Sequence, residues 1–117
     1  MDSELKAIHV VYAHWCPHCV PTTVEPMKKA AADLGVKYVP HDVDTDEVKN
    51  ADDLVRKYGD WSLDYVIPQV FLEFKDGSVK HVLTGYSEGV AHTKRAVENL
   101  LSSRMYAELK AKRRAKQ

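Results

Sequence analysis

Ile8-His9-Val10-Val11-Tyr12, then Trp15-Cys16-Pro17-His18-Cys19 after Ala13 and His14, is the stretch on which the fold turns. The first five residues belong to a short, β-branched apolar run, about Lys6 to Tyr12, that reads as a buried strand. Beyond Cys16, apolar residues fall at Val20, Val24, Met27, Ala31 and Leu34, the three- and four-residue gaps of one helix face, and Gly35 ends the helix. Two residues between thiols let one helical turn bring the sulfurs within disulfide reach. Strand, Cys-x-x-Cys and helix in that order form the layout of a thiol–disulfide active site. The chain holds 2 cysteines in all, so the pair has no competing partner within it.

Working outward, Val36-Lys37-Tyr38-Val39 forms a second strand that reaches Pro40 or a little beyond. Asp44 or Thr45 can cap a second helix, with Glu47 completing a capping box to Asp44. Val48, Ala51, Leu54, Val55 and Tyr58 form its apolar face, and Gly59 stops it. An irregular stretch with Trp61 and Tyr65 leads to Val66-Ile67-Pro68 and the strand Gln69–Phe74. Asp76-Gly77 turns that strand back into Val79–Leu83, because Asp-Gly is a strong hairpin signal. Ser87 caps a last helix with Val90, Val97, Leu101, Met105 and Leu109 on one side. That helix is expected to run unbroken for about twice the usual length, its far end projecting beyond the core. The order βαβαββα implies an α/β fold whose four-stranded sheet is mixed: parallel across the strand–helix–strand unit, antiparallel across the hairpin.

The 117 residues suffice for one domain with an ordinary hydrophobic core. That core is expected at about 5–103, with a basic helical extension over 104–117. The cysteine pair is therefore not required as a staple, which favours a catalytic role. No apolar stretch is long enough to span a bilayer, and no membrane association is expected. The acidic start Met1-Asp2-Ser3-Glu4 lacks the pattern of a signal peptide, so a cytoplasmic location is expected. Formal net charge is zero, but Arg104, Lys110, Lys112, Arg113, Arg114 and Lys116 face Glu108 alone in the tail. So short a basic run is read first as a solvated helix end whose cations suit the C-terminal dipole; nucleic acid is not the expected partner.

On three features in order, the chain resembles the thioredoxin superfamily over roughly residues 5–103. These are the strand–Trp15-Cys16-Pro17-His18-Cys19–helix unit, Ile67-Pro68 opening a strand, and the Phe74-Lys75-Asp76-Gly77 hairpin leading to Gly85. The resemblance implies the thioredoxin fold and a dithiol oxidoreductase acting on protein disulfides. It implies that Pro68 is cis and lies against the cysteines, and that Ile67 offers its backbone to an extended substrate segment. No bound cofactor or metal is implied; electrons come from a thioredoxin-reductase-like enzyme or from a small thiol such as glutathione. A monomer is expected. Two departures stand out. Val10 occupies the place where thioredoxins resembling this one carry a buried Asp, and Pro40 falls near that of their buried Lys. The Pro-His dipeptide is neither the Gly-Pro of thioredoxins nor the Pro-Tyr of glutaredoxins.

Cys16, at the expected helix start, is the candidate nucleophile, since unpaired N–H groups and the positive dipole end favour its thiolate. Cys19, a turn inside, is the candidate resolving thiol. Pro17 fits the first helical position because its missing N–H costs nothing there. His18 either stabilises the thiolate as an imidazolium, making the disulfide more oxidising, or is a solvent-exposed imidazole of little effect. Trp15 is expected as an apolar wall, and Gly85 as a place where a substrate backbone comes close or where the chain turns tightly. The proton acceptor for Cys19 is open between water, the departing substrate thiolate and His41, should its strand point inward. Three other readings are weighed. A glutathione-dependent, glutaredoxin-like enzyme fits the missing Asp. A non-catalytic binding module would use Trp61, Tyr65 and the basic tail. A zinc site of His14, Cys16, His18 and Cys19 is disfavoured because ligands this close cannot easily surround a tetrahedral ion.

Overall fold

The strand β1 (Leu5–Tyr12) lies at the centre of a mixed sheet of four strands. It runs parallel to β2 (Lys37–Asp42) and antiparallel to β3 (Gln69–Phe74), which pairs antiparallel with the edge strand β4 (Val79–Thr84). The sheet order is β2-β1-β3-β4. The computed structural model describes residues 4–16, 19–63, 65–86 and 89–115, with side chains as far as residue 112. The helices are α1 (Glu25–Leu34), α2 (Val48–Tyr58), α3 (Val90–Leu101) and α4 (Arg104–Ala115). Among the described residues no helix is long and apolar enough to cross a membrane.

Strand alternation sorts the core into two layers. Ile8 and Val10 of β1, Val70 and Leu72 of β3, and Leu83 of β4 meet Met27, Ala30, Ala31 and Leu34 of α1 and Val97 of α3. On the opposite face Val11 and Phe71 pack against Ala51 and Val55 of α2. Val10 pairs with Val70 and Ile8 with Leu72, so the strands match apolar residue to apolar residue across the register. Each such fully buried side chain is worth about 1.5–3 kcal/mol. Val10 is therefore an ordinary core residue. Gly35 adopts the left-handed conformation (φ 68°) that closes α1, its N–H on the carbonyls of Ala31 and Ala32.

The sequence pattern and the structure part at the C-terminal end. Instead of one long helix there are two, because Ser103 interrupts the ladder. Its hydroxyl donates to the Leu100 carbonyl at 2.6 Å and accepts the Tyr106 N–H at 3.2 Å, ending α3 and capping α4. The bend folds α4 back, so that Met105, Tyr106 and Leu109 pack against the core rather than projecting past it. The expected capping box before α2 is also absent. Thr45 takes the Glu47 N–H at 3.2 Å, while the Asp44 and Glu47 carboxylates are spent elsewhere. The expected cap Ser87 lies outside the described residues.

Candidate active site

At the C-terminal end of β1 the chain makes tight turns before any helix forms, so Cys16 stands ahead of the helix, which opens at Val20, and not at the helix start expected from the sequence. Cys16 N–H bonds the Ala13 carbonyl at 3.0 Å, and the Cys16 carbonyl accepts Cys19 N–H at 3.0 Å and Val20 N–H at 3.3 Å. The helix then opens as a π-helical segment, Val20–Val24, in which the Cys19 carbonyl accepts Thr23 N–H at 3.0 Å and Val24 N–H at 2.7 Å. Pro26 supplies the reason. It has no N–H to give the Thr22 carbonyl and its ring crowds that group, so the turn widens until α1 begins. The sequence carried this signal in Pro21 and Pro26, which interrupt an otherwise periodic helical run.

The two thiols sit together in this turn. Both cysteines are free and stand as a pair at 2.8 Å, outside the roughly 2.05 Å of a disulfide bond. Both are buried, Cys19 completely, whereas Cys16 retains 7% exposure. With Ala13 they form a small cluster walled by Tyr12, Val43 and Ile67. Burial pushes the Cys19 thiol well above the usual range, and its hydrogen bond with Cys16 adds to this, against the opposing pull of the Ala13 backbone. The charges of Cys16 and Asp42 push the same way. The Tyr12 hydroxyl is raised by burial first and by the charges of Asp42 and Cys19 next. Cys19 thus stays a thiol until its surroundings change.

Most of the expected site residues converge here. Ile67 packs on the thiol cluster, the Ile67–Pro68 peptide bond is cis, and Pro68 is buried. Gly85 N–H bonds the Pro68 carbonyl at 2.8 Å. A Cβ on Gly85 would stand 2.6 Å from Pro68 Cδ and 3.1 Å from the Ile67 carbonyl oxygen. The close approach that Gly85 permits is therefore to its own chain at Ile67–Pro68. Trp15 is 63% exposed beside Cys16, its indole N–H on Asp44 Oδ2 at 3.2 Å. Pro17 and His18 lie outside the described residues.

His41 does not serve the thiols. It pairs with Val11 in the sheet and so faces α2, where it bonds His9 at 2.8 Å and Glu47 at 3.1 Å. The acid on the thiol side is its neighbour Asp42. Burial raises the Asp42 carboxyl, but the Asp44 N–H and the His14 ring outweigh it and hold that pKa below the usual range. His14 is spent on this contact, Nδ1 to Asp42 Oδ2 at 2.8 Å. Among the described residues no three His, Cys, Asp or Glu side chains converge as a metal site.

Three contributors were not singled out from the sequence. Val43 reaches the thiols because β2 delivers its end beside β1, with Val43 N–H on the Tyr12 carbonyl at 2.8 Å. Asp44 holds Trp15. Gln69, fully buried, binds Asp60 N–H (3.1 Å), the Asp60 carbonyl (3.3 Å) and the Val66 carbonyl (2.9 Å), and so shapes the loop before Ile67. In that loop Trp61 stacks under Arg56 at 4.4 Å and Tyr65 donates to Asp52 at 2.7 Å, toward α2. Comparison of the chain with protein-family models, curated proteins and solved structures finds no match.

Proposed function

We propose that this chain is a thiol–disulfide oxidoreductase with a thioredoxin fold, working through Cys16 and Cys19 on protein disulfides. The observation that carries the reading is the pair itself: two free thiols in one turn at the end of the central strand, both buried, with Cys16 the less enclosed of the two. The mixed four-stranded sheet, with α1 and α3 on one face and α2 on the other, is compatible with a thioredoxin-like fold and supports the reading. Cys16, deprotonated, attacks one sulfur of a substrate disulfide; that S–S bond breaks, one substrate thiolate leaves, and a mixed disulfide remains on Cys16. Cys19 then gives its proton to water or to the departing thiolate and attacks the Cys16 sulfur. The second substrate thiolate is released, the substrate has gained two electrons, and the protein leaves as its Cys16–Cys19 disulfide. An external dithiol, a reductase or glutathione returns the electrons.

The enclosed Cys19 thiol gives the order of events. Held protonated by burial, it cannot compete with Cys16 for the first attack, and it gains its chance only when a mixed disulfide brings a leaving thiolate beside it. Ile67 packs against the pair, which supports a role for its backbone in meeting an extended substrate segment.

The test is reduction of a protein disulfide with dithiothreitol as electron donor, run on wild type, Cys16→Ser and Cys19→Ser. Turnover by the wild type, none by Cys16→Ser, and a trapped mixed disulfide with Cys19→Ser are expected. Wild-type protein that neither turns over nor forms a Cys16–Cys19 disulfide in a glutathione buffer would end the proposal.

A further inference from the structure

On the face of the sheet away from the thiols, four titratable side chains form a continuous chain. Glu73 Oε1 stands 2.8 Å from His9 Nε2, His9 Nδ1 stands 2.8 Å from His41 Nε2, and His41 Nδ1 stands 3.1 Å from Glu47 Oε2. The two rings lie nearly parallel, 11° apart. β1 supplies His9 and Lys6, whose Nζ is 3.6 Å from Glu73; β2 supplies His41, β3 Glu73, and the start of α2 Glu47 with Asn50 beside it at 3.3 Å. His81 on β4 also faces this side, against Phe71, but bonds Thr84 at 2.6 Å, with Asp60 3.8 Å away.

The three bonds fix the number of protons. An ionised carboxylate only accepts, so His9 Nε2 and His41 Nδ1 must each carry a hydrogen. Between the rings one more is required, because two bare nitrogens at this distance repel and two N–H groups collide. Three protons on four nitrogens make one imidazole and one imidazolium. Burial, ahead of the raising hydrogen bond from Glu47 and the lowering charge of His9, keeps the His41 pKa down. His41, the more enclosed ring at 7% exposure against 14% for His9, therefore keeps a single hydrogen on Nδ1, and the hydrogen-bond count leaves the third proton in the bond from His9 Nδ1.

We propose that His9 and His41 form a proton relay in which the charge on His9 selects the tautomer of His41 and thereby makes or breaks the Glu47 contact that pins the wall of the thiol site. When His9 gives its Nδ1 proton to solvent, the ring-to-ring bond survives only if His41 moves its own hydrogen from Nδ1 to Nε2. The bare Nδ1 then faces the Glu47 carboxylate, and that bond ends. Glu47 closes the segment 43–47, which Thr45 ties to the Asp42 carbonyl at 2.8 Å. This segment lays Val43 on the thiols and Asp44 on the Trp15 indole. His41 is thus a positioning residue acting through Glu47, and the effect on catalysis rests on the redox reading above.

The experiment is a pH titration of the full chain followed by nitrogen-15 NMR of its imidazole and indole groups, alongside the rate of exchange with oxidised glutathione. In wild type, His41 Nδ1 should change from the protonated to the bare type in the same step in which His9 loses its charge. The Trp15 indole signal and the exchange rate should move with that step. In Glu47→Ala, an exposed position that leaves the core alone, the imidazole step should remain while Trp15 ceases to follow it. His9→Gln should abolish the step. A His41 Nδ1 that stays protonated through the His9 step, or a wild-type Trp15 signal that ignores it, overturns the relay. If exchange is absent at every pH while the imidazole step and the Trp15 response persist, the redox reading falls and the relay stands.

Discussion

Replacing Gly85 by alanine tests the construction of the site at its tightest point. The added Cβ would lie 2.6 Å from Pro68 Cδ, 3.1 Å from the Ile67 carbonyl oxygen and 3.2 Å from Pro68 N. Two of those three atoms are backbone and the third is in a buried ring, so none can swing aside. Carbon atoms settle at about 3.5–4.0 Å. The Ile67–Pro68 segment must therefore retreat by roughly an ångström, and the strain of such overpacking is about 1–3 kcal/mol. For a domain of this size that corresponds to a fall in Tm of roughly 4–15 °C. Ile67 packs on Cys16 and Cys19, so the retreat also alters the wall of the thiol site and should slow disulfide exchange. Gly89→Ala is the control: its backbone is extended (φ 161°) and its nearest neighbour would be His92 at 3.9 Å. Denaturant unfolding and exchange rates of both variants decide the matter. A Gly85→Ala protein as stable and as fast as Gly89→Ala would refute the close approach and the site built on it.

Two further outcomes follow from buried groups. Cys19 and the hydroxyls of Tyr38 and Tyr65 are raised chiefly by burial, so the unfolded chain loses their protons first. Stability of the reduced protein should be intact below about pH 8.5 and fall above it, first through Cys19 and then, beyond about pH 10, through the tyrosines. Cys19→Ala should remove the first of these two declines, and urea midpoints measured across the alkaline range would expose its persistence. Gln69→Leu leaves the Asp60 N–H and the Asp60 and Val66 carbonyls without their buried partner. At about 1 kcal/mol for each net hydrogen bond, the loss is roughly 3 kcal/mol; unchanged urea unfolding would show that Gln69 does not hold the loop.

Local pattern carried most of the secondary structure. The strand Gln69–Phe74 falls where β-branched and aromatic residues follow Pro68, the Asp76-Gly77 turn reverses the chain, and Gly35 and Gly59 end their helices. The break before α4 was hidden because Leu101, Met105 and Leu109 stay in helical phase across it, and serine is a weak breaker by composition. Only its hydroxyl geometry makes Ser103 a cap. The π-helical opening lay in Pro26, whose missing N–H is a local fact. The side on which His41 stands was not local at all, since it depends on β2 pairing in register with β1.

The sequence by itself therefore determined the two thiols at fixed spacing after a strand, a reading that rests on short-range rules of chain geometry acting over a few neighbouring residues. Ile67, Pro68 and Gly85 were named only through the resemblance to the thioredoxin superfamily. Only the tertiary structure decided their company. It enclosed Cys19 more fully than Cys16, laid Val43 and Ile67 on the pair, and gave Asp42 to the thiol side and His41 to the other. A one-residue step in a strand moves a side chain to the opposite face, and which face meets which helix is settled by packing across the whole sheet.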